Sequence, residues 1–159
     1  MMVPTATKTL GVNAAFLQEI KDSHPDLAHA VHALRATYHS DDVPAQTARR
    51  LVRLLDELRD CLAFQFALEE SYGYIEGAQS SSETLAEMAE KARNQHCGLY
   101  LELSSLCEQA EELQYRGFAC DNVRQLIQDT ERFDARLIQH ERLEAELIER
   151  AYFEPRRAY

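Results

Sequence analysis

Six polar side chains stand where helical spacing calls for apolar ones: His24, Gln65, Glu69, His96, His140 and Glu144. Four of them form two i, i+4 pairs, Gln65-x-x-x-Glu69 and His140-x-x-x-Glu144. Such positions lie about 40° apart around a helix, so both members of a pair leave the same face and can grip one centre. Imidazole nitrogen and carboxylate oxygen together suit iron, manganese or zinc, and carboxylates can bridge two metals. A carboxylate among leucines without a partner is strongly disfavoured, so Glu69 and Glu144 call for cations or for protonation.

The six residues also follow an order. A lone His24 is followed 41 residues later by the Gln65/Glu69 pair, and a lone His96 is followed 44 residues later by the His140/Glu144 pair. The chain is thus a two-fold pseudo-repeat in its polar interruptions. Taken singly, each residue has an ordinary reading: a histidine on an apolar face is usually a satisfied core or near-surface residue. A helical glutamate usually reaches water from the edge of a stripe. The shared register sets the group apart. His29, His32 and His39 fall off the stripe or at its end, and Glu70, Glu141 and Glu146 read as solvated neighbours.

Turn signals divide the chain that must position these residues into four long segments, from about Asn13 to His39, Pro44 to Glu76, Ser80 to Gly117, and Asp121 to Pro155. Asp42 and Pro44 suit the start of the second, Gly77 its end, and Ser80 with Glu83 has the spacing of a capping box. Each segment carries apolar residues at three-and-four spacing, as in Leu51, Leu55, Leu58 and Leu62 or Leu99, Leu103 and Leu106, so each has one face to bury. No strand-like alternation of useful length appears. Four amphipathic helices with short connections predict an all-α, antiparallel up-down-up-down four-helix bundle. Pro25 is the misfit: either the first helix kinks there, or it restarts with Ser23 as cap and Asp26 as its capping-box partner.

A chain of 159 residues is long enough to bury roughly 70% of its unfolded surface, and residues 1–159 read as one domain. The net charge of -10 would repel nucleic-acid phosphates and anionic membranes, and no basic cluster overrides it. No apolar run reaches signal-peptide or membrane-spanning length, which predicts a cytoplasmic protein. Cys61, Cys97, Cys107 and Cys120 lack C-x-x-C spacing and read as free, mostly buried thiols, with a redox pair as the other reading.

The stretches "IKDSHPDL", "FQFALEE", "NQHCGLYLEL" and "QHERLEAEL" resemble the hemerythrin-like family in its HHE cation-binding form, from about Phe16 to Tyr152. The resemblance implies an antiparallel four-helix bundle around a carboxylate-bridged di-iron centre. The family's ligands are typically a lone histidine, an H-x-x-x-E, another lone histidine and a second H-x-x-x-E. They carry over to His24, Glu69, His96, His140 and Glu144, while Gln65 stands where the family has a histidine. Glutamine offers a neutral carbonyl oxygen, a weaker donor than imidazole, so one metal position is expected to be weakened or lost. Cys61 and Tyr100, each one turn from a member of the set, are candidates for a compensating ligand, with core packing as the alternative. Ferritin-like bundles use E-x-x-H, and no histidine here has a glutamate three residues before it.

The functional expectation is a hemerythrin-like non-haem iron protein that handles oxygen or iron by binding, sensing or storage, with an incomplete di-iron site of one or two metals. Its partners would be the metal ion and dioxygen, with no nucleic acid and no membrane. No general acid, base or nucleophile stands outside the ligand set, so an enzyme is not expected. The alternatives are a degenerate, metal-free bundle acting as a structural or interaction module, favoured by Gln65, and a thiol-redox protein using Cys61 or Cys97.

Overall fold

The computed structural model describes residues 25–38, 43–72 and 83–150. Among them the chain forms four helices and no strand: α1 Pro25–Thr37, α2 Pro44–Tyr72, α3 Glu83–Arg116 and α4 Cys120–Ile148. The expectations placed on Asn13, Ser23, His24, His39, Asp42, Gly77, Ser80 and Pro155 lie outside the described residues. Consecutive helices pack on one another, α1 on α2, α2 on α3 and α3 on α4, and α2 also touches α4.

The stripes bury as their spacing requires. Leu51, Leu55, Leu58 and Leu62 of α2 meet Leu99, Leu103, Leu106 and Ala110 of α3, Leu126, Phe133 and Leu137 of α4, and Val31 and Leu34 of α1 in one apolar cluster. Each fully buried Leu or Phe contributes roughly 1.5–3 kcal/mol by leaving water. A smaller cluster of Ala89, Ala92 and Leu147, flanked by Leu85, Met88 and Leu143, forms a second apolar patch between α3 and α4. Glu69, His96, His140 and Glu144 come between these two clusters along the helices, as a polar layer in the core.

Gly117 ends α3 with φ of 89°, a left-handed conformation that suits a residue without Cβ just past a helix. Only three residues then separate α3 from α4. The sequence placed the start of α4 at Asp121; the helix begins at Cys120 instead, capped by extended Ala119 with no side-chain hydrogen bond. Alanine offers no side-chain oxygen, so the first N–H groups of α4 lack a side-chain cap. Asp121 falls in the first turn, where its charge still complements the helix dipole.

One polar device ties α1 to α4. Arg35 donates from Nε to Asp134 Oδ2 and from Nη2 to Asp134 Oδ1, both at 2.9 Å, joining α1 to α4 through a paired fork. Tyr38 is close to this pair. Burial, then the charge of Asp134, pushes its hydroxyl pKa up.

The thiols differ from expectation. All four are free, but Cys97 and Cys120 are exposed, Cys61 is half-buried and only Cys107 is buried. Cys97 follows the buried His96 by one residue, and a 100° helical step carries it off the apolar face. Burial pushes the Cys107 thiol up to about 12, which keeps it protonated and unreactive near neutral pH.

Candidate metal centre

The polar layer draws one carboxylate from α2, one imidazole from α3 and an imidazole–carboxylate pair from α4. Leucine spacing carries each helix into the core, and the polar residue occupies the next inward position of the same stripe. Glu69 is 1% exposed, His140 and Glu144 are 2% and His96 is 3%.

One potential ligand atom from each of Glu69, His96, His140 and Glu144 lies within 4.8 Å of all the others. His96 Nε2 is 3.2 Å from Glu69 Oε1 and 3.7 Å from Glu144 Oε2, and His140 Nε2 is 3.2 Å from Glu144 Oε2. Around an ion with bonds near 2.1 Å, adjacent donors sit roughly 3 Å apart and opposite donors roughly 4 Å apart. The four side chains therefore surround a volume suited to one ion after small adjustments.

Aromatic packing restrains the imidazoles. The Phe66 ring stacks on His96 with centroids 4.1 Å apart and planes 9° from parallel, and it meets His140 edge-on at 5.5 Å. The two imidazoles stand edge to face at 5.0 Å. On the other side of His140, Nδ1 lies 2.8 Å from Gln95 Oε1. This contact turns the other ring nitrogen, Nε2, toward the carboxylates.

That Nε2 is the most informative atom in the site. His140 Nε2 is buried, has no hydrogen-bond partner and faces a carboxylate oxygen of Glu144. A buried ring nitrogen this close to an anionic oxygen needs a proton or a cation between them. The buried donor set of two imidazoles and two carboxylates therefore fits a divalent or trivalent metal ion.

His96 shows how the same group can satisfy itself without metal. Burial acts to strip its proton, but hydrogen bonds to Glu144 and Glu69, and the charge of both, outweigh this and push its pKa up to about 9. At neutral pH an imidazolium then sits between two carboxylates.

Of the six residues singled out in the sequence, these four are brought together. Gln65 lies beside them, 6% exposed, and its Nε2 donates to Glu69 Oε2 at 3.3 Å. His24 lies outside the described residues. Cys61 is not in the group. Tyr100 is 38% exposed and lines a cavity of about 470 Å³ with Phe66, His96, Cys97 and Arg93, so it meets solvent rather than the packed core.

Sequence reasoning missed Gln95 and Phe66. Gln95 sits one step off the α3 stripe, where a glutamine reads as surface, and only the approach of α4 gives its oxygen a histidine to hold. Phe66 carried a core signal, but nothing in its spacing indicated an imidazole partner.

No helix among the described residues is long and apolar enough to cross a membrane. Compared with known proteins, the chain matches no family model, no curated protein and no solved structure.

Proposed function

We infer that this protein is a non-haem metal-binding helical bundle whose metal is iron and which handles oxygen or iron by binding, sensing or storage, in the manner of the hemerythrin-like proteins its motifs resemble. The observation that carries the reading is the buried Glu69–His96–His140–Glu144 group, with the partnerless Nε2 of His140 lying 3.2 Å from Glu144 Oε2. Two carboxylates and two imidazoles match iron in hardness and in charge. The three-residue link between α3 and α4 supports the antiparallel up-down-up-down course of that family. The cavity lined by Phe66 and His96 borders one imidazole of the centre, the side from which a small molecule would approach.

When bound, iron would supply a redox-active ion able to take a small exogenous ligand. The chain's own residues hold and shield it. His96, His140, Glu69 and Glu144 bind, Gln95 orients His140, and Phe66 covers the imidazoles and limits water.

A second reading is a metal-free structural module. It is favoured by the imidazolium that Glu69 and Glu144 can hold between them, because that arrangement neutralises part of the buried charge without a metal. Metal analysis of protein made in iron-replete cells and purified without chelators separates the two. Retained iron, or tight uptake of ferrous ion by the metal-free chain, is the expected result. A chain that neither retains nor takes up iron, manganese or zinc would leave the structural module as the reading.

A further inference from the structure

Gln65 and Glu69 stand one turn apart on α2, and their contact has a direction. The amide Nε2 of Gln65 donates to Glu69 Oε2 at 3.3 Å. The reverse orientation would set the amide oxygen against a carboxylate, so the neighbouring charge decides which way the amide faces. The other oxygen of the same carboxylate, Oε1, is 3.2 Å from His96 Nε2. One oxygen of Glu69 thus faces the four-residue group, while the other accepts an N–H from outside it. Gln65 Oε1, meanwhile, is buried and has no hydrogen-bond partner.

For Glu69 to bridge two ions through both of its oxygens, the second would have to approach Oε2, where the Gln65 N–H now presents the positive end of its dipole. Turning the amide around would forfeit a hydrogen bond to a charged acceptor and offer the ion only a neutral carbonyl in return. We propose that Gln65 is a positioning residue that restricts the centre to a single metal ion, by holding Glu69 Oε2 with its amide N–H and so keeping that carboxylate from bridging. The inference rests on the metal-binding reading above. It adds that the number of ions is set by one hydrogen bond.

The test loads the full chain with ferrous ion, oxidises it, and measures iron per chain together with the electron paramagnetic resonance of the ferric form. An isolated high-spin ferric ion gives a signal that integrates to one spin per iron, whereas two bridged ferric ions couple and lose it. The native chain should bind one iron and show the full signal. Gln65→Glu, which replaces the N–H with a second carboxylate, should bind two irons per chain and lose most of the signal per iron. Gln65→His is a second variant that introduces a lone pair without adding charge, and the same outcome is expected. Circular dichroism establishes that each variant is folded before loading. Two coupled irons in the native chain would overturn the proposal, as would folded variants that stay at one iron with an unchanged spectrum. A native chain that binds no metal would overturn the metal-binding reading itself, and this inference with it.

Discussion

His140 Nδ1 lies 2.8 Å from Gln95 Oε1, and this contact from α3 to α4 fixes which imidazole nitrogen faces the buried carboxylates. Partners that orient a metal-binding histidine in this way commonly contribute ten- to a hundredfold to metal affinity. Gln95→Leu should therefore weaken iron binding by roughly 10–100-fold while leaving helix content unchanged. Competition with a chelator of known affinity measures it, and unaltered affinity would show that His140 needs no such anchor.

The raised pKa of His96 predicts a proton-coupled site. A group whose folded pKa lies above its ordinary value near 6.5 stabilises the metal-free protein fully below that value, and the contribution is lost as pH rises through about 9. Metal binding needs the neutral imidazole and must displace this proton, so affinity should rise roughly tenfold per pH unit between about 7 and 9. Isothermal titrations in buffers of different ionisation enthalpy count the proton directly. Binding without proton release would show that His96 is not a ligand.

Metal removal should lower thermal stability. At free metal a thousandfold above Kd, a ligand of the folded state alone adds about 4 kcal/mol. In a chain of this length that corresponds to roughly 8–16 °C in Tm. Calorimetry before and after chelation checks this, and Glu144→Gln should abolish most of the shift because it removes a carboxylate from the centre.

The paired fork between Arg35 and Asp134 is partly open to solvent, with side-chain exposures of 41% and 9%. Asp134→Asn should destabilise the chain by about 1–2 kcal/mol, less than a fully buried ion pair would cost because solvent screens the guanidinium. Urea denaturation measures the change. The metal affinity should stay the same, since neither residue belongs to the four-residue group.

Much of this arrangement was legible in the order of residues. Three-and-four spacing identifies the inward faces of α2, α3 and α4, because a helix repeats every 3.6 residues whatever it packs against. The same arithmetic put Gln65, Glu69, His96, His140 and Glu144 on those faces, where all five are buried. Periodicity assigns a side chain to a face but says nothing of which atom it meets across a helix interface. Only the packed bundle decided that Glu69 of α2 and His140 of α4 share one centre with His96, that Gln95 holds His140, and that Gln65 turns a donor toward Glu69. Those contacts depend on the depth and rotation at which the helices dock, quantities set by every side chain of the interface together.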